Sequence, residues 1–182
     1  MLKRKNQSGF TLLEVALVLI VVSLIVLAVI KAQGIWNEAK SFRLIRQVQE
    51  LQVAVALYEN KIGQLPGDTV PDGEIDNTTF PDEWARDLSD ENLILSVAKA
   101  TTHPFGDDVL LEWIVNTASP FGTDQNLFVL DKVPNDFARA LDDALDDGNG
   151  ILGSVRATEV GAPTVPVAYG SFDIVDVWVR LN

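Results

Sequence analysis

From Phe10 to Ile30 the chain reads FTLLEVALVLIVVSLIVLAVI, an apolar run interrupted by a single charge, Glu14. At about 1.5 Å per residue a helix of this length spans about 30 Å, the thickness of a bilayer's hydrocarbon core. A helix apolar on every side belongs in a membrane or inside a bundle of similar helices. Lys3, Arg4 and Lys5 precede the run and Lys31 ends it. The leading cations hold the N-terminus in the cytoplasm, which sends everything after Lys31 to the far side of the membrane.

A secretory signal peptide has a shorter apolar region with a small-residue cleavage site behind it. Here the run is too long, and KAQGIWNEAK after it offers no such site. A plain signal anchor explains the cations and the run but leaves Glu14 unexplained. A charge at the centre of a membrane helix costs on the order of 2.5–3.5 kcal/mol, and less toward its end. Glu14 therefore calls for a partner. Nothing polar lies within a turn downstream, so the partner is upstream or on another chain.

The stretch Gly9-Phe10-Thr11-Leu12-Leu13-Glu14-Val15, behind its short basic leader, resembles the class III signal of type IV prepilins and type II secretion pseudopilins. The resemblance covers the leader, the cleavage site and the whole apolar run. It implies that a prepilin peptidase cuts between Gly9 and Phe10, that the new N-terminal Phe10 is N-methylated, and that Glu14 assists assembly by pairing with the N-terminal amine of a neighbouring subunit. The chemistry agrees. An α-amine with a reference pKa of about 7.7–8.0 is largely protonated at neutral pH, and monomethylation keeps that charge. Phe10 and Glu14 are four residues apart, about 6 Å along a helix. Subunits staggered by a similar rise bring the two charges together, and in low dielectric each offsets the cost of the other.

Beyond Lys31 the pattern turns amphipathic. Ile35, Phe42, Ile45, Val48, Leu51 and Val55 recur at helical spacing, and no proline interrupts Phe10 to Asn60. One continuous helix is expected to about residue 62, weakest at Gly34, with Gly63 as its cap and Pro66 just beyond. The stripe is expected to dock the helix onto a head. Type IV pilins often carry a proline just after the membrane segment; this chain has none there.

The expected organisation is a leader over 1–9, a transmembrane or filament-core helix over 10–30, an amphipathic continuation over 31–62 and a globular head over 63–182. In the head, residues 64–80 read as a loop rich in Pro, Gly, Asp and Asn. Asp82 is placed to cap a helix from Glu83 to about Ala100, with a break near Ser89. Val109–Asn116, Asn126–Val133, Ile151–Thr158 and Phe172–Leu181 read as strands. A short helix capped by Asn135 or Asp136 carries Phe137, Leu141, Ala144 and Leu145 on one face and stops at Gly148 and Gly150. The fold class is α+β, a long helix packed on a small antiparallel sheet, pilin-like. Tyr58, Leu65-Pro66-Gly67-Asp68 and the segment from Leu141 to Ala157 are similar to parts of a bacterial prepilin group with an LPGD turn.

Composition narrows the function. The chain of 182 residues has no cysteine and one histidine, His103. That excludes a disulfide staple, a thiol nucleophile and a His-rich metal site. A net charge of −12 argues against nucleic acid as a partner. Paired carboxylates occur by chance among 26 acids, so no catalytic residue is assigned and the chain is not expected to be an enzyme. The four tryptophans, Trp36, Trp84, Trp113 and Trp178, read as core or interface residues.

Asp142, Asp143, Asp146, Asp147 and Asn149 cluster in the form of oxygen ligands for calcium. Their spacing is not that of an EF-hand, and a solvated acidic face explains them equally well. The resemblance adds that some pseudopilins hold calcium in the head. A weaker acidic cluster is Asp68, Asp72, Glu74 and Asp76. No other cofactor is expected. The partners expected are copies of this chain or other pilin-like subunits, the prepilin peptidase and the membrane. The function expected is a type IV pilin-like filament subunit, its head in the periplasm before assembly. Two alternatives stand beside it: a type II secretion pseudopilin, and a monomeric signal-anchored periplasmic binding protein.

Overall fold

The computed structural model describes residues 11–75 and 81–181. By its contacts the chain separates into two units, Met1–Ala39 and Lys40–Asn182. The first helix, α1 (Leu12–Ile62), runs through both. In the first unit it is long and apolar enough to cross a membrane, and none of its apolar window is buried. Thr11 caps its start: Glu14 donates its N–H to the Thr11 carbonyl at 3.1 Å and to Thr11 Oγ1 at 3.3 Å. At its other end Gly63 adopts φ +87 and donates to the Glu59 carbonyl, the left-handed cap its position predicts.

In the second unit α1 buries Leu44, Val48, Leu51, Ala54, Val55 and Tyr58. The expected stripe is corrected at its start. Ile35 and Phe42 are 69% and 71% exposed, whereas Leu44 is fully buried. The real stripe steps 44, 48, 51, 55, 58; Ile45 is half-buried against the same core, and Phe42 lies about 200° round the helix from Leu44.

After the turn at Gly63 come α2 (Glu83–Asp90) and α3 (Val97–Ala100). The break expected near Ser89 falls just after Asp90, where Asn92 takes φ +59 and Asn92 and Leu93 donate to the carbonyls of Ser89 and Leu88. This paired closure ends a helix with its last carbonyls satisfied. Asp82 holds the expected cap position, its carbonyl accepting the Ala85 and Arg86 N–H groups, but its side chain makes no capping hydrogen bond and pairs with Arg86 at 3.0 Å.

Five strands follow: β1 (Val109–Ile114), β2 (Gln125–Pro134), β3 (Val155–Glu159), β4 (Ala162–Pro166) and β5 (Ile174–Arg180), with α4 (Asn135–Leu145) between β2 and β3. The sheet order is β1-β2-β5-β3-β4, antiparallel throughout. The last strand is therefore central. One sheet face joins Leu111, Phe128, Leu130, Val155, Val175, Val177 and Val179 to the α1 stripe in a single core. The other carries a smaller cluster of Leu127, Val129 and Trp178 under Phe121.

Three local expectations fail for physical reasons. Residues 151–154 are turn rather than strand, because Asp146 captures the Ser154 and Val155 N–H groups. Asn135 lies inside α4 and does not cap it; its Oδ1 accepts the Gly170 N–H at 2.8 Å. α4 buries Ala138, Leu141 and Asp142, while Ala144 is exposed.

Candidate functional site

Two places carry chemistry. The first is the start of α1. Thr11-Leu12-Leu13-Glu14 has the form of a capping box, with Thr at the cap and Glu at the third helical position. A carboxylate there also faces the positive end of the helix dipole. Sequence reasoning weighed Glu14 only as a charge in hydrocarbon and missed this local role, although the T-x-x-E spacing was legible. Among the described residues no ion pair involves Glu14. Gly9 and Phe10 lie outside the described residues.

The second place is the loop after α4. The structure brings ligand atoms of Asp142, Asp146 and Asp147 within 4.8 Å of one another. Asp143 is not among them. Asp143 faces Arg139 at 3.9 Å, one turn back on α4. Asn149 Oδ1 accepts the Ile151 N–H, a local turn bond. Asp147 Oδ1 accepts the Asn149 N–H at 2.8 Å, and Asp146 Oδ2 is taken by Ser154 and Val155.

Asp142 differs from the other two. It is fully buried, its Oδ2 accepts the Tyr169 hydroxyl at 3.0 Å, and its Oδ1 has no hydrogen-bond partner. Burial pushes its carboxyl up to about 6, the Tyr169 bond and the Gly148 N–H, which approaches without hydrogen-bond geometry, pull the other way, and Asp147 and Asp146 add to the rise. The same enclosure, with Asp142 alongside, raises the Tyr169 phenol.

The weaker cluster resolves into loop bonds. Asp68 Oδ2 accepts the Gly73 N–H at 3.0 Å and Asp72 Oδ1 the Glu74 N–H at 3.0 Å; Asp76 lies outside the described residues. His103 is buried, with Nε2 2.7 Å from the Asp131 carbonyl and Nδ1 accepting the Phe105 N–H at 3.2 Å. Both ring nitrogens are occupied by backbone. Trp84 and Trp178 are buried, Trp113 is half-buried, and Trp36 is exposed.

Residues 4–30 match the family described as the prokaryotic N-terminal methylation motif. The chain thus carries the class III signal of type IV prepilins and pseudopilins, and that signal implies processing by prepilin peptidase and assembly with pilin-like subunits. No curated protein and no solved structure matches the chain.

Proposed function

We propose that this chain is a type IV pilin-like structural subunit. It is inserted in the inner membrane with its head in the periplasm, cut between Gly9 and Phe10, methylated on Phe10, and assembled into a surface or periplasmic filament. The observation that carries this reading is Glu14, a lone carboxylate in the first turn of a helix whose apolar window is wholly exposed, and inside the matched motif. The outer side of α1 supports it. Val53 lies two residues from both Leu51 and Val55, about 200° round the helix. It and Leu57 are exposed there, beside a cleft of about 660 Å³ that Leu93, Ile94 and Leu95 help to line. A helix buried on one face and apolar on the other has a second neighbour to meet. The reading assigns the chain no catalysis, in keeping with a histidine engaged at both nitrogens.

The test is mass spectrometry of the N-terminus from cells with the chain's own processing machinery. A chain beginning at N-methyl-Phe10 is expected. One that retains residues 1–9 points instead to the signal-anchored monomer. A type II secretion pseudopilin shares all of this chemistry, and the length of the assembled filament separates the two.

A second reading within this one rests on Asp142. An orphaned, fully buried carboxylate oxygen beside two further carboxylates is costly unless a proton or a cation meets it. We read Asp142, Asp146 and Asp147 as ligands for calcium, which takes oxygen donors of this kind and fills its coordination with carbonyls and water. Calcium is expected to raise the melting temperature of the head relative to chelator; equal melting removes the reading.

A further inference from the structure

On the sheet face away from α1, Arg156 and Arg180 share one aromatic ring. The Arg156 guanidinium carbon lies 4.6 Å from the centre of Phe121 and that of Arg180 4.7 Å. Register places them together: Arg156 pairs with Trp178 across β3 and β5, and Arg180 is two residues further along the same face of β5. Two guanidiniums stacked on one ring repel each other, so they ordinarily have an anion at hand.

Among the described residues no ion pair involves either of them. The Nε atoms of both are buried without a hydrogen-bond partner. Arg156 donates one Nη to the Pro120 carbonyl at 2.9 Å. Glu112 shares the face but stands two strands from Arg180, about 10 Å by sheet spacing. In a chain with 26 acids and a net charge of −12, these two cations have no carboxylate partner among the described residues.

We propose that Arg156, Phe121 and Arg180 form a receptor for a carboxylate side chain of a second copy of this chain. The argument is charge complementarity. Every copy carries a large surplus of carboxylates, and like-charged heads repel unless cationic groups of one meet acidic groups of the other. Two guanidinium forks bind a carboxylate with direction as well as charge. An aromatic ring with arginines beside a buried tryptophan is the composition that dominates binding energy at protein interfaces. The proposal rests on the filament reading above and adds a specific contact between heads.

Because the chain has no cysteine, Thr123→Cys gives a unique exposed thiol two residues from Phe121. Two differently tagged full-length copies are co-expressed with the processing machinery and treated in membranes with a thiol-directed photo-crosslinker. The expected product is a dimer carrying both tags. In R156Q/R180Q its yield falls at least tenfold, and raised salt lowers it in the parent, while cleavage and head melting stay unchanged. R156K/R180K keeps the charge, loses the fork, and is expected to recover only part of the yield.

A mixed dimer of undiminished yield in R156Q/R180Q overturns the receptor and leaves the filament reading standing. No mixed dimer in the parent, together with an uncut N-terminus, sinks both. Binding of anionic-lipid vesicles or inorganic phosphate that is lost in R156Q/R180Q, with the dimer unaffected, assigns the site to phosphate and overturns the second-copy contact.

Discussion

Tyr169 donates its hydroxyl to Oδ2 of Asp142 at 3.0 Å, joining the segment after β4 to the buried face of α4 across 27 positions of chain. The bond satisfies one oxygen of a fully buried carboxyl and leaves the other to the acidic loop. Whatever meets that second oxygen decides how the head responds to pH and to cations.

The pH response has a definite sign. The folded-state value of Asp142 is raised to about 6, above the ordinary 3.8. The folded head therefore holds a proton that the unfolded chain releases. The stability this provides is fully present below about pH 4 and is lost as pH rises through 6. In chelator the melting temperature is expected to fall by a few degrees across that window relative to Asp142→Asn, which lacks the titration. Calcium added at pH 7.5 is expected to restore it in the parent but not in the variant. A parent and variant with parallel pH profiles would show that Asp142 is not the titrating group.

Glu14 has two candidate roles, and one pair of substitutions separates them. Glutamine also suits the third helical position of a capping box, and it removes the charge. If Glu14 acts by pairing with a neighbour's amine, Glu14→Gln and Glu14→Ala both insert and are cut normally, yet both enter filaments at least tenfold less. If it acts only by starting the helix, Glu14→Gln is near normal. Filament yield, measured by shearing and immunoblot, reads the difference.

The corrected helix stripe makes a quantitative contrast. Leu44→Ala empties a fully buried site and is expected to cost about 2–5 kcal/mol. Phe42→Ala removes a larger side chain from an exposed position and is expected to change head stability by about 0.5 kcal/mol or less. Denaturant melts of the detergent-solubilised chain check both. Should Phe42→Ala prove the more damaging, the stripe has been assigned to the wrong face.

Gly150 allows a close approach of backbone. A Cβ there would lie 2.8 Å from the Val167 carbonyl and 3.1 Å from Ala157 Cβ and Tyr169 Cζ. Gly150→Ala is expected to destabilise the head by about 1–3 kcal/mol, the usual effect of overpacking. Because it pushes on Tyr169, it is also expected to weaken the calcium-dependent rise in melting temperature.

Much of this architecture was legible in the chain. The apolar run, the absence of proline and Gly63 with Pro66 gave α1 and its end; β-branched and aromatic content gave β1 and β2, and alternating valines gave β5. The strand β4 was not legible, because Ala162–Pro166 is short and holds two prolines, and it forms only as an edge hairpin partner of β3. The bulge in β2 was hidden as well. Lys132 takes φ +51 there, with its N–H on Asp176 Oδ1 and its ammonium on Asp107, partners 44 and 25 positions away. At the acidic loop the sequence offered five oxygen-bearing residues. Only the fold could show that Asp142 is buried and that Asp143 and Asn149 are occupied elsewhere.

The place of β5 in the sheet sets an order of events. β1 and β2 can form a hairpin as soon as both have emerged from the ribosome, and so can β3 and β4, but β2 and β3 do not pair with each other. Until Ile174–Arg180 arrives, the head is two separate ribbons, each with an open edge. Its arrival closes both edges at once and completes the face on which α1 packs. A chain interrupted before residue 174 therefore lacks the keystone of the sheet and remains recognisable to proteases as unfinished.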